Sequence, residues 1–216
     1  KAGGETEKQI YEFQKGDKNL ALRFDLTVPL AKYVAKNMGN LTFPFKRYQI
    51  GKVYRGERQQ KGRYREFYQC DIDIIGDENL SIINDAELPN VIYNIFKELN
   101  FGDFTICINN RKILNGLFKS LNLNEIASDI LRIIDKIDKI GKEAVILELE
   151  KLNIEKEKIE KIINFIEIGG TNDEKINALK ELKIEEETFI KGLNELTEVV
   201  KYMRIFKIPE NSFKID

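Results

Sequence analysis

An α+β fold is expected for these 216 residues: an antiparallel sheet flanked by helices, carrying an inserted small all-helical domain. Three observations lead there. Residues 46–56 and 66–75 alternate with a period of two, the signature of paired strands, around a polar loop. Apolar residues on either side of this hairpin recur at helical spacing. From about residue 124 the chain becomes rich in Lys, Glu, Ile and Leu, with helical spacing broken at Gly141, Asn153, Gly169-Gly170 and Asn172.

Taken in order, residues 10–26 read as a hairpin. Tyr11 and Phe13 alternate, Gly16–Asn19 is a turn signal, and Leu20, Leu22, Phe24 and Leu26 resume the alternation. Thr27 and Pro29 open a helix through residue 37, because Thr can cap and Pro is tolerated in a first turn. Gly39, Asn40 and Pro44 mark the loop into the central hairpin. A turn at 77–79 leads to a helix ending near 99, with Ala86, Ile92, Ile95, Phe96 and Leu99 as its apolar stripe; Pro89 should kink it or mark its start. Phe104, Ile106 and Ile108 suggest a strand, and 110–121 a short helix. Four or five short amphipathic helices are expected over 124–207, before Pro209 and a final strand-like S-F-K-I-D. The expected division is 1–122 with 208–216 as one domain and 123–207 as the helical insertion.

Composition narrows the chemistry. No run of about 18 apolar residues exists to span a bilayer, and the opening K-A-G-G-E-T-E-K-Q has neither an apolar leader core nor P-loop spacing. With no His and only two Cys, a zinc site and His-based acid–base chemistry are not expected. Cys70 and Cys107 sit in strand-like alternation and read as small buried hydrophobes. The net charge of −1 conceals an asymmetry: residues 1–75 carry 15 Lys/Arg against 9 Asp/Glu, or +6, and the remainder carries −7. Phosphate binding therefore belongs in the first third.

The central hairpin carries the candidate site. Arg47, Gln49, Gly51, Val53 and Arg55 share one strand face, and Gln69, Asp71 and Asp73 project together from the other strand. The loop between them holds Arg58, Lys61 and Arg63 and no apolar run, a composition suited to a small zwitterionic ligand plus a polyphosphate. The order Arg55-x-Glu57, a loop, then Arg63-x-x-x-Phe67-x-x-x-Asp71 resembles the second signature motif of class II aminoacyl-tRNA synthetases. R-G-E-R-Q-Q-K-G-R-Y-R-E-F-Y-Q (55–69) and L-A-L-R-F-D-L-T (20–27) resemble the histidyl-tRNA synthetases.

That resemblance implies a partial class II catalytic core with an insertion domain. The implied reaction is ATP-dependent activation of histidine to histidyl-adenylate and transfer to tRNA(His), in a cytoplasmic, homodimeric full-length enzyme using ATP with Mg²⁺. It implies Arg55 as the catalytic residue at the α-phosphate; Glu57, Arg63, Phe67 and Asp71 join it in ATP binding, with Phe67 stacked on adenine. Asp25, Thr27, Gln69 and Asp73 are implied for histidine. Many bacterial members carry Glu at the first and last of these positions, so Asp25 and Asp73 resemble the eukaryotic pattern. Singly, these residues also have structural readings: Arg55 could pair with Glu57, Phe67 could be a core aromatic, and Asp71 and Asp73 a hydrogen-bonded strand-end pair. The family's dimer-forming first motif, its R-G-L-D-Y-Y segment, its third motif and its anticodon-binding domain are absent from the 216 residues, so the chain is expected to be a fragment that does not aminoacylate tRNA alone. The main alternative is the synthetase-like regulatory subunit of ATP phosphoribosyltransferase. A second is the synthetase-like domain of a stress-sensing kinase, against which stands the lack of a kinase signature.

Overall fold

Strand and helix periods appear where the sequence places them, and they assemble into two compact units divided between Leu80 and Ser81. The computed structural model describes residues 4–216; Lys1–Gly3, and with them part of the opening stretch read as lacking P-loop spacing, lie outside the described residues. The mixture of helices and small sheets is the expected α+β class.

In the first unit, β1 (Glu12–Lys15) and β2 (Lys18–Ala21) form a short antiparallel hairpin. Gly16 turns it at φ +61°, a conformation that costs glycine little. The extended segment that follows is tied to its neighbours: Leu22 N donates to Tyr11 O at 2.9 Å, and Tyr54 N to Arg23 O at 2.8 Å. Helix α1 (Thr27–Asn37) starts at Thr27 as expected, but Thr27 does not cap it. Asp25 does, its Oδ1 accepting from Val28 N at 2.9 Å. Strands β3 (Phe45–Tyr54) and β4 (Glu66–Ile75) pair antiparallel over ten residues each, with Phe45 opposite Ile75 and Tyr54 opposite Glu66. Leu26, Leu30 and Val53 are buried in this unit.

The hairpin shelters its polar face. Arg47, Gln49, Gln69, Asp71 and Asp73 are half-buried, whereas Tyr48, Ile50 and Tyr68, on the opposite face, are exposed at 79%, 64% and 65%. Cys70 lies on that second face and is exposed; so is Cys107, and neither is the buried hydrophobe that alternation suggested. Alternation reports which residues share a face and is silent on what covers it.

In the second unit, α2 (Ile83–Glu98) contains Pro89 well inside rather than at its start. Its stripe is only partly buried: Ala86 is fully covered, while Ile95 and Leu99 are exposed. Strand β5 (Ile106–Ile108) precedes α3 (Arg111–Ser120), whose N-cap Asn110 accepts from Lys112 N at 3.0 Å. The helical stretch is divided more finely than expected, into six helices among the described residues. They are α4 (Ala127–Ile134), α5 (Ile137–Ile140), α6 (Lys142–Glu150), α7 (Lys156–Ile166), α8 (Asn172–Glu181) and α9 (Glu187–Ile205). Asparagines in the left-handed region follow three helices, at Asn100, Asn122 and Asn153, where Asn tolerates a conformation most residues avoid. Thr171 and Glu174 form a reciprocal capping box at the start of α8.

Helices α3 to α9 share one apolar core, which includes Phe118, Ile130, Leu149, Ile162, Phe189, Val200 and Met203. The final strand β6 (Phe213–Ile215) joins it and pairs parallel with β5, Ile106 facing Phe213. Asn172, 6% exposed, fastens this strand: its Oδ1 accepts from Ile215 N at 2.8 Å, and its Nδ2 donates to Phe213 O at 3.4 Å. No helix among the described residues is long and apolar enough to cross a membrane.

Candidate active site

The antiparallel register decides which side chains of β3 and β4 meet. Arg47 lies opposite Asp73, Gln49 opposite Asp71, Gly51 opposite Gln69 and Val53 opposite Phe67. Directly opposed residues share a face, so this ladder is one surface. Arg47 Nη2 is 2.9 Å from Asp73 Oδ2, with side-chain exposures of 12% and 24%. The same guanidinium donates to Leu26 O at 3.3 Å and, through Nη1, to Gln49 Oε1. Gln69 Nε2 donates to Asp71 Oδ2 at 3.1 Å.

Three buried polar atoms on this face lack a hydrogen-bond partner: Arg47 Nε, Gln69 Oε1 and Asp73 Oδ2. For Asp73 Oδ2 the approach to Arg47 is a charge contact at hydrogen-bond distance without hydrogen-bond alignment. Each such atom costs about 1–3 kcal/mol of desolvation if nothing pairs with it. Polar atoms of this kind gathered on one sheltered face make it a candidate surface for a polar ligand or ordered water.

Arg55 stands at the end of the ladder between two aromatic rings, its guanidinium carbon 4.8 Å from the centre of Phe24 and 5.2 Å from that of Phe67. Its Nε donates to Phe24 O at 3.3 Å, and its backbone N–H to Arg65 O at 3.0 Å. The two ring contacts and the Nε hydrogen bond hold the guanidinium in place while leaving its terminal nitrogens available to an oxyanion. The pairing of Arg55 with Glu57 that the sequence left open is not the one formed. Glu57 instead meets Arg63, 3.5 Å away on the exposed loop. With Arg63 67% exposed and Glu57 27%, a single contact of this length is worth about 0–1 kcal/mol and does not lock the arginine in place. The loop is pinched by Arg63 N donating to Gln60 O at 2.9 Å, with Gly62 at φ +81°.

Asp25 and Thr27 sit where the extended segment enters α1. One oxygen of Asp25 is committed to capping, and Thr27 is exposed. Leu26 joins this segment to the ladder through Arg47. Gly51 permits the approach: a Cβ there would lie 3.3 Å from Arg23 Nη1 and 3.4 Å from Leu26 Cδ2. The structure therefore assembles Gln69, Asp71 and Asp73 into one cluster, Arg55 with Phe67 into a second, and Arg63 with Glu57 into a third on the loop.

Two members were not in the expected set. Arg47 was legible as sharing the face of Arg55, but its partner depended on register. Phe24 gave no signal beyond its strand alternation. On the opposite face, Lys52 and Glu66 pair at 2.7 Å; their hydrogen bond holds the lysine above and the glutamate below their ordinary ranges, away from the site. A cavity of about 400 Å³ beside the ladder is lined by Pro29, Leu30, Tyr33, Phe45, Arg47 and Gln49. A larger one, about 720 Å³, lies in the second unit against Tyr93, Phe96, Phe101 and Phe104, with Lys97 and Asp103 as its charged lining. It lacks a cluster of acids and arginines, and the hairpin face is the stronger candidate.

The α+β fold, with an arginine-bearing antiparallel hairpin and its polar face, is consistent with part of a class II aminoacyl-tRNA synthetase core. The profile of one such family, "Histidyl-tRNA synthetase", matches residues 1–216. A histidine–tRNA ligase of Clostridium tetani is 60% identical over 216 residues, covering all of this chain and 49% of that protein. The crystal structure of histidyl-tRNA synthetase from Nostoc sp. PCC 7120 superposes with a TM-score of 0.88 at 44% identity, over 96% of this chain and 48% of that one. A Bacillus halodurans protein, described as an ATP phosphoribosyltransferase regulatory subunit/histidyl-tRNA synthetase, shares the fold at a TM-score of 0.81 and 21% identity, over 97% of this chain and 53% of that one. The chain belongs to the histidyl-tRNA synthetase family, and it spans about half the length of the relatives it matches.

Proposed function

We propose that this chain carries the histidine- and ATP-binding hairpin of a histidine–tRNA ligase. The reaction is activation of histidine by ATP to histidyl-adenylate, followed by transfer to tRNA(His). The observation that carries this reading is the sheltered ladder of Arg47, Gln69, Asp71 and Asp73 on one face of the hairpin, whose β3 leads into an arginine packed against two aromatic rings.

In the activation step the histidine carboxylate attacks the α-phosphorus, the bond to the bridging oxygen breaks, and pyrophosphate leaves. Negative charge grows on the non-bridging α-phosphate oxygens. Arg55 is the group to meet it, since two rings and its Nε hydrogen bond hold it in advance and it stays charged. Arg63 would turn from Glu57 to the outer phosphates, freeing Glu57 for the adenine end of the nucleotide. Phe67 offers a ring edge or face to adenine while supporting Arg55, and Asp71, which accepts a hydrogen bond from Gln69, would join the ATP-binding set. Asp25 and Thr27 at the start of α1, with Gln69 and Asp73, would receive the α-ammonium and the imidazole. Polar groups that only the right ligand satisfies reject analogues lacking the matching donor.

Mg²⁺ enters with ATP, where it would neutralise phosphate charge and leave most of its coordination to phosphate oxygens and water. Among the described residues no group of three His, Cys, Asp or Glu gathers to hold a metal by itself. The helices over 123–207 are read as the insertion domain, between 1–122 and 208–216 of the catalytic core. The full-length protein is read as a cytoplasmic homodimer.

The test is histidine-dependent ATP–pyrophosphate exchange by the protein at its natural length and by these 216 residues alone. Exchange is expected only from the former, and Arg55→Ala should lower its kcat by about a hundredfold or more. Exchange by neither chain would replace this reading with the phosphoribosyltransferase regulator. Exchange by the 216 residues would show that they form a complete site.

A further inference from the structure

We infer that Arg47 is a positioning residue for histidine recognition, acting through Asp73; this rests on the reading of Asp73 as a histidine contact. The two residues are cross-strand partners, and Nη2 lies 2.9 Å from Oδ2. The pair is sheltered, at 12% and 24% side-chain exposure, whereas Lys52–Glu66 on the other face of the same hairpin stands at 46% and 49%. Water does little to screen a charge so placed, so the carboxylate depends on its neighbour for a counter-charge.

Arg47 is itself immobilised. One terminal nitrogen reaches Leu26 O at the entry to α1, and the other reaches Gln49 two residues along β3. Leu26 is fully buried, so the anchor does not move with solvent-exposed backbone. A planar guanidinium held at both terminal nitrogens sets the position of the carboxylate in front of it. Lysine, a point charge on a flexible stem, would restore the charge and lose that geometry.

Other features indicate that the pair serves a ligand beyond the fold. Asp73 Oδ2 is buried against Arg47, yet 24% of the Asp73 side chain stays exposed, so the accessible part of the carboxylate lies away from the arginine and can meet a ligand. The neighbouring Gln69 Oε1, on the same face, is unpaired. The arrangement is complete when a ligand donor reaches Asp73 while Arg47 holds the carboxylate from behind.

The experiment is steady-state exchange kinetics on the natural-length protein carrying Arg47→Met, Arg47→Lys, Asp73→Asn and the Arg47→Met/Asp73→Asn double change, each checked for wild-type-like thermal unfolding. Arg47→Met should raise KM for histidine by about tenfold to a hundredfold and leave KM for ATP within about twofold. Arg47→Lys should recover part of the loss, and it keeps the question decidable if the methionine variant does not fold. In the Asp73→Asn background, Arg47→Met should add little, because a residue acting through Asp73 has nothing left to position. Equal changes in both KM values, an unchanged KM for histidine, or full additivity in the double variant would overturn the inference. Wild-type protein without histidine-dependent exchange would remove the functional reading, and this inference with it. Wild-type exchange with an unselective Arg47→Met removes the inference alone.

Discussion

Helices α3 and α9 touch through glycine, and adding one methyl group there should destabilise the second unit. A Cβ built at Gly116 would stand 2.4 Å from Phe189 N, 2.5 Å from its Cα and 2.6 Å from its Cβ. One at Gly192 would stand 2.7 Å from Lys112 Cβ and 2.8 Å from Ile113 N. Carbon atoms rest about 3.5–4.0 Å apart, and no rotamer change moves backbone, so α9 would have to retreat by about 1 Å. The retreat is opposed by Ile113, Leu117, Phe118, Phe189, Leu193 and Leu196, buried around the contact. Overpacking of this kind costs about 3 kcal/mol, and the gain in helix propensity from Gly to Ala returns about 1 kcal/mol. The net loss for Gly116→Ala is about 2 kcal/mol, or about 4–8 °C in Tm for a chain of this size. Urea unfolding followed by circular dichroism at fixed slope is the assay. Gly169→Ala is the control, since a Cβ there meets only Glu167 O at 3.8 Å and φ is not positive. Gly116→Ala at wild-type stability, or Gly169→Ala falling equally, would refute the packing argument.

Two further outcomes test the fastening of β6. Asn172→Ala leaves Ile215 N–H without its acceptor in a buried setting and should cost about 1–3 kcal/mol, read as a lowered urea midpoint; a change below about 0.5 kcal/mol would contradict the role. Glu210 is held below the ordinary carboxylate range chiefly by the hydrogen bond from Arg204, against the upward push of burial. Its folded-state pKa is depressed, so its contribution is present above the unfolded value of about 4.3 and is lost as pH falls through the folded value. Glu210→Gln should therefore lower Tm at pH 7, by the equivalent of about 0.5–1 kcal/mol for so exposed a pair, and the difference from wild type should shrink as the pH falls below the ordinary carboxylate range. A deficit that persists in acid would assign the effect to shape rather than charge.

Local chemistry was readable along the chain because it depends on neighbours. Period-two alternation located β3 and β4 within two residues of their ends, and the glycine and asparagine breaks located the helix ends near Gly141 and Asn153. The spacing from Arg55 through Asp71 resembled one family, and the match over residues 1–216 places the chain in it. Helix number was less legible: α4, α5 and α6 are short and separated by a few residues, so a window wide enough to see helical period merges them.

What a residue touches could not be read that way. Parity put Arg47 and Asp73 on faces of separate strands, but only the register across an eleven-residue loop made them partners. Cys70 and Cys107 alternate like core residues and are exposed, because burial is set by what packs on a strand rather than by the strand. The pairing of β5 with β6 joins residues more than a hundred positions apart, and the glycine contact of α3 with α9 brings together segments seventy apart. Local pattern in the chain was enough for most element types, for the motif and for the family. Only the folded arrangement shows the Arg47–Asp73 pair and the rings against Arg55, contacts between segments whose approach no local pattern encodes, and only it shows that nothing among the described residues covers the face of Tyr48, Ile50 and Tyr68.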